Sequence, residues 1–213
     1  MTEPYRSLKR LGRIAMDSTI LTDPFIWVYD NVIPNNKCRE IINRFEADNR
    51  QHQGMTAGGV NKNVKNSLDL FVTDLNDWKD IDDLFKDLIQ HLIIQYSTHL
   101  KNSSNLISFT ENKQIPIAPA LTSNVRDVGY QVQKTNPDEG YVWHSDYEIG
   151  RILTFILYLN TVEEGWTQFY NGDQVSPQAG RCIMFPATWT YYHQGYPPKQ
   201  TKYIMTGWVY SDR

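Results

Sequence analysis

The stretch YVWHSDYEIG, residues 141–150, sets His144 and Asp146 two positions apart inside an aromatic, strand-like run. Side chains in a strand return to the same face every two residues, so imidazole and carboxylate would converge there as two-thirds of a metal site. Five histidines and 16 aspartates in 213 residues give a His-x-Asp match roughly 0.4 times by chance, so the pair needs a third donor. His193, in TWTYYHQG, is the only other histidine in the second half of the chain. Taken alone, it reads equally well as a packed strand histidine bonded to backbone.

Two histidines and one carboxylate on a triangular face leave three octahedral positions open, the arrangement of non-haem Fe(II) oxygenases. A 2-oxo acid can chelate through two of them and dioxygen can take the third. The far end of such a ligand is a second carboxylate, which needs a cation. In TKYIMTGWVY, strand alternation puts Lys202, Ile204, Thr206 and Trp208 on one face, a single positive charge in an otherwise uncharged row. Burying that ammonium unpaired is unfavourable, so it requires an anionic ligand or an escape to solvent. Lys199 competes, but it follows YPP and reads as a turn residue. In RILTFILYLN, Thr154, Ile156 and Tyr158 share a face and offer two hydroxyls to the same carboxylate.

The first half supplies the support for these strands. FIWVY (25–29) reads as a strand, and Asn35 or Asn36 caps a helix whose apolar face is Cys38, Ile41, Ile42 and Phe45. Residues 50–67 are polar, glycine-bearing and aperiodic, which predicts a long loop, and long ordered loops are often functional. Three- and four-residue steps from Trp78 to Tyr96 predict an amphipathic helix of about 20 residues, with His91 and His99 exposed or capping. Beyond about residue 120 the chain becomes short runs of alternating or branched residues between turn signals, a β sandwich or small barrel. Helices first and strands after predict an α+β protein, with residues 1–22 a basic arm carrying Arg6, Lys9, Arg10 and Arg13, and 23–213 a single domain.

A net charge of −3 argues against a nucleic-acid-binding surface as the main role. Cys38 and Cys182 lack any CxxC or zinc-knuckle spacing, which predicts a reducing cytoplasm. No apolar run reaches the roughly 18 residues a bilayer demands, and the N-terminus lacks a secretory core, so no membrane association is expected.

The order His-x-Asp, TFILYLN, distal histidine, then a basic residue nine positions later followed by YIMTGW, resembles the prolyl 4-hydroxylase branch of the 2-oxoglutarate- and Fe(II)-dependent oxygenases. QKTNPDEGYVWHSD and PATWTYYHQGYPP are especially similar to phage-type members, which would act in a host cytoplasm. The resemblance spans about Phe25 to Val209. It implies a double-stranded β-helix (jelly-roll) core buttressed by N-terminal helices. It also implies Fe(II), 2-oxoglutarate and O2 as cofactor and co-substrates, with ascorbate an accessory reductant. Matched position by position, His144, Asp146 and His193 are the implied iron ligands and Lys202 the partner of the 2-oxoglutarate 5-carboxylate. Tyr158 and Thr154 lie on the same wall, Trp208 lines the pocket, and Arg151 stands at the mouth where it meets substrate. Two departures stand out: EEGWTQFY replaces the GGET run of many relatives, with Trp166 and Gln168 at altered positions, and Lys134 stands where oxygen-sensing relatives have a tyrosine.

The implied activity is hydroxylation of an unactivated C–H bond coupled to decarboxylation of 2-oxoglutarate to succinate, with a prolyl residue in a peptide or protein the first candidate substrate. A free amino acid or other small molecule is the alternative. Nucleobase demethylation is disfavoured, because no paired arginines follow His193. Two readings from other classes are a zinc hydrolase using the same three donors, which leaves Lys202 unexplained, and a non-catalytic β-barrel binding module.

Overall fold

The computed structural model describes residues 18–102 and 125–211. The basic-arm residues Arg6 to Arg13 lie outside that range. Among the described residues twelve strands form two antiparallel sheets, with two α-helices preceding most of them. The strands are β1 (Ser18–Ile20), β2 (Trp27–Tyr29), β3 (His52–Gln53), β4 (Leu68–Phe71), β5 (Val125–Thr135), β6 (Tyr141–His144), β7 (Arg151–Tyr158), β8 (Thr167–Phe169), β9 (Gln174–Val175), β10 (Cys182–Pro186), β11 (His193–Gly195) and β12 (Lys202–Ser211). The larger sheet runs β1-β2-β10-β7-β12-β5-β4-β3 and the smaller β6-β11-β8-β9.

Strand alternation divides the interior into two cores. On β7 and β10, Phe155, Leu157, Cys182 and Met184 face the helices, whereas Ile156, Tyr158, Ile183 and Phe185 face the smaller sheet with Phe169 and Val175. The first helix, α1 (Asn35–Ala47), buries Cys38, Ile41 and Phe45. The second, α2 (Lys79–Asn102), buries Ile81, Leu84, Phe85, Leu88, Ile89, Leu92, Ile93 and Tyr96 on one stripe. Both stripes join the outer core of the larger sheet, which stiffens the strands that carry the site without entering it.

Three local expectations change. Helix α1 has no side-chain cap: Pro34 holds the extended N-cap conformation, its carbonyl accepts from the amides of Lys37 and Cys38, and Asn35 is already helical. Residues 50–67, expected as a long loop, also contain strand β3, and they are anchored by a Thr56–Gly59 bridge and hydrogen bonds from Asn66 N to Gly140 O and Val142 N to Val64 O. His91 and His99 are half-buried rather than exposed, His99 in the last turn of α2 and stacked 4.0 Å from Trp27, His91 bonded to Gln95 at 3.0 Å. Among the described residues no helix is long and apolar enough to cross a membrane.

Candidate metal centre and co-substrate pocket

A pocket of about 620 Å³ lies between the two sheets. The larger sheet contributes Gln131, Gln133, Thr135, Ile156, Tyr158, Lys202, Ile204, Thr206 and Trp208; the smaller contributes Tyr141, His144, Thr167, His193 and Gly195. All four residues of the expected Lys202–Trp208 row face it, as alternation requires.

His144, Asp146 and His193 meet at one wall, with one ligand atom from each within 4.8 Å of the others. His144 Nε2 is 3.7 Å from Asp146 Oδ1, and His193 Nε2 is 3.7 Å from Asp146 Oδ2. Two donors each about 2.1 Å from one ion can be no more than about 4.2 Å apart, a limit that each histidine–Asp146 separation meets. Both Nδ1 atoms are engaged by backbone carbonyls, His144 with Val142 at 2.8 Å and His193 with Tyr191 at 3.0 Å. That fixes the tautomer with N–H at Nδ1 and leaves the Nε2 lone pairs toward the centre.

The convergence has a different cause from strand alternation. Strand β6 ends at His144, and Asp146 sits beyond it, fixed by two hydrogen bonds. Arg151 Nη1 donates to its carbonyl at 2.8 Å, and Thr154 Oγ1 donates to its Oδ2 at 2.8 Å. Thr154 is not among the residues lining the pocket, and its hydroxyl proton is directed at Asp146. Burial alone would raise the Asp146 pKa, but the adjoining imidazoles of His193 and His144, with the Thr154 hydroxyl, outweigh it and hold the carboxyl below its ordinary value. Burial, then the His193 ring, push His144 down, so both groups are in their metal-ligating forms at neutral pH. Thr154→Val keeps the shape and deletes that donor; metal affinity should fall about 10- to 100-fold, read by calorimetry, with the thermal midpoint nearly unchanged.

Lys202 occupies the other end. Its side chain is buried, Nζ donates to Gly165 O at 2.7 Å, and among the described residues no carboxylate pairs with it. Desolvation lowers its pKa to about 8. A buried ammonium with three donors and one hydrogen-bond acceptor suits an anionic ligand. Tyr158 lines the same end, but its hydroxyl contacts Thr167 Oγ1 at 2.7 Å and Val175 O at 3.2 Å, so Thr167 joins the wall. The Trp208 indole N–H is buried without a full hydrogen bond, though it adds to holding Asp146 ionised. Arg151 lies over the Trp208 ring at 4.1 Å and bonds Glu148 and the Tyr210 hydroxyl, clamped at the mouth.

Both departures noted in the sequence have local explanations. Glu164 and Gly165 take positive φ (60° and 66°), a turn that presents the Gly165 carbonyl to Lys202. Trp166 then stacks on Tyr196 at 4.4 Å, and Gln168 accepts from Gln194 across β8 and β11. Lys134 points away from the pocket to Glu46 and the Tyr203 ring; Gln133 and Thr135, its neighbours, face in. Sequence reading missed the inward Gln131–Gln133–Thr135 row, visible as alternation in QVQKT, and missed Lys65 and Tyr141 altogether.

Residues 130–210 match the 2OG-Fe(II) oxygenase superfamily. No curated protein matches the chain. Among solved structures the chain is similar to a Pseudomonas putida prolyl-4-hydroxylase (TM-score 0.61, 14% identity, 98% of this chain and 99% of that one covered). It is also similar to a Trichoplax adhaerens prolyl hydroxylase in complex with a hypoxia inducible factor peptide fragment (0.60, 17%, 90% and 86%). A third is the viral collagen prolyl hydroxylase of Paramecium Bursaria Chlorella virus-1 in a 2OG complex (0.56, 18%, 89% and 97%). At these identities the likeness is one of fold.

Proposed function

We propose that this 2-oxoglutarate-dependent dioxygenase, which carries a 2OG-Fe(II) oxygenase domain over residues 130–210, hydroxylates an unactivated C–H bond of a peptide or protein in the manner of a prolyl 4-hydroxylase. The observation that carries the reading is a single pocket with a His–Asp–His triangle on one wall and a buried, carboxylate-free lysine at the other end. We read the two facing sheets as a double-stranded β-helix and residues 23–213 as one domain, with 1–22 an arm.

In this reading His144, Asp146 and His193 hold Fe(II), and Lys202 receives the 5-carboxylate of 2-oxoglutarate. Iron, 2-oxoglutarate and O2 supply the oxidative chemistry, which yields succinate, carbon dioxide and a hydroxylated product. The chain's own part is positioning. Thr154 and Arg151 orient Asp146; Ile156, Ile204 and Trp208 furnish apolar wall between metal and lysine and help exclude water; Tyr158 and Thr167 complete the anion end. In this reading Arg151, which lines the pocket with Tyr147 and Glu148, meets substrate.

A free amino acid or other small molecule is the second reading, supported by the polar row Gln131, Gln133 and Thr135. Anaerobic protein given Fe(II) and 2-oxoglutarate should develop an absorption band that neither gives alone, and oxygen should then release succinate. Zinc binding with no such band would favour a hydrolase and remove the reading. Peptide and amino-acid pools screened by mass spectrometry for a gain of one oxygen distinguish the two substrate classes.

A further inference from the structure

We propose that Tyr141 is a positioning residue for His144, and that the buried Lys65–Asp69 pair beneath the 50–67 segment holds Tyr141 in place. The inference rests on the reading of His144 as a metal ligand. In a regular strand, residues 141 and 144 would face opposite ways. Here His193 pairs with His144 and Gly195 with Tyr141, so β6 carries one extra residue against β11. That bulge brings Tyr141 round to the side of His144. The rings lie nearly parallel, 13° apart, with centroids 3.5 Å from each other.

The two histidines are walled differently. His193 is buried against Phe169 and Phe185, with centroids at 5.9 and 4.9 Å. His144 has its Nδ1 contact to Val142, the neighbouring His193 ring at 4.3 Å, and the face of Tyr141. A hydrogen bond to its own strand leaves an imidazole free to rock about that axis, whereas a flat ring against its face does not. Outer-shell contacts of this kind set the aim of a ligand and change metal affinity about 10- to 100-fold.

Tyr141 is held from a second direction. Lys65 Nζ lies 5.6 Å from its ring centroid, a cation–π distance. Lys65 is fixed by Asp69 at 2.6 Å, and Asp69 accepts from Ser67 Oγ at 2.8 Å, all three residues buried. A buried ion pair is poor value as stability alone, since apolar residues of the same volume serve as well or better. Gly54 closes over it: a Cβ there would come within 3.1 Å of Lys65 Cε and 3.2 Å of Asp69 Oδ2 and would overlap Ser67 Oγ. The segment roofing the pocket is thus linked to the metal wall through Asp69, Lys65 and Tyr141.

The test uses cobalt(II) alone as probe on the metal-free full chain, with calorimetric affinity, the visible cobalt band and histidine side-chain nitrogen NMR without metal. Tyr141→Phe keeps the ring and should bind within about twofold of wild type, whereas Tyr141→Leu should lose about 10- to 100-fold and broaden the His144 ring signals but not those of His193. Lys65→Met/Asp69→Leu, which removes both charges together, should shift both readouts in the same direction by less, and it decides the matter if the leucine variant does not fold. Wild-type affinity in either the leucine or the double variant overturns the proposal, as does a phenylalanine variant as weak as leucine. His144→Ala separates the two levels: if it retains cobalt affinity, the ligand assignment itself fails; if it loses affinity while Tyr141→Leu does not, only the positioning role fails.

Discussion

Asp146→Ala should reduce metal affinity on the order of 1,000-fold or more, beyond the range of outer-shell changes, and abolish succinate release. The carboxylate is the only anionic donor of the triangle and lies 3.7 Å from both imidazole Nε2 atoms. Without it, two neutral imidazoles remain, a set that holds a divalent ion weakly against water. The apo protein should weaken as well. The Asp146 pKa is lower folded than unfolded, so the residue adds stability above the unfolded carboxylate value, and this is lost as pH falls through the folded value. Thermal midpoints of the metal-free variant and wild type should therefore differ at pH 7 and converge as the carboxylate is protonated. Retention of tight cobalt binding by Asp146→Ala would remove the central role assigned to this triangle.

What could be read from the chain beforehand divides by the range of the interactions. The helix over 79–102, the buried face of α1 and the strands after residue 125 follow from periodicities of 3.6 and 2, which are local. The Lys202–Trp208 row was legible for the same reason, and all four side chains reach the pocket. Bulges and segment closures are not local. The extra residue in β6 is defined only by pairing with β11, and regular alternation alone would put Tyr141 on the opposite face from His144. Asp146 converges with His144 although the strand has ended, because Arg151 and Thr154 hold it from β7. Lys65 sits in a polar aperiodic segment whose closure depends on hydrogen bonds to residues 140 and 142, far away in sequence. Thr154 shows the same limit within one strand: its face was readable, but the partner of its hydroxyl was not.

Lys202→Met should raise the KM for 2-oxoglutarate about 100-fold or more while leaving cobalt affinity close to wild type, since a buried charge-paired contact contributes roughly 2–5 kcal/mol and Lys202 Nζ bonds the Gly165 carbonyl and none of the three donors. The same change should stabilise the metal-free protein. Desolvation lowers the Lys202 pKa from its ordinary 10.5 to about 8, so below pH 8 the folded chain carries the full penalty of a buried ammonium. As pH rises from 8 toward 10.5 the unfolded chain binds more protons than the folded one, and wild-type stability rises relative to the variant. Lys202→Met removes that dependence, so its thermal midpoint should exceed wild type at pH 7 and the difference should shrink by pH 10. Co-substrate binding has the opposite slope: the ammonium is needed, so wild-type affinity for 2-oxoglutarate should weaken above about pH 8, whereas that of the variant should stay flat. A residue that lowers stability in the free protein and raises affinity for a dianion is one retained for a ligand. A methionine variant with unchanged KM and a lower midpoint would instead make Lys202 a structural contact of Gly165.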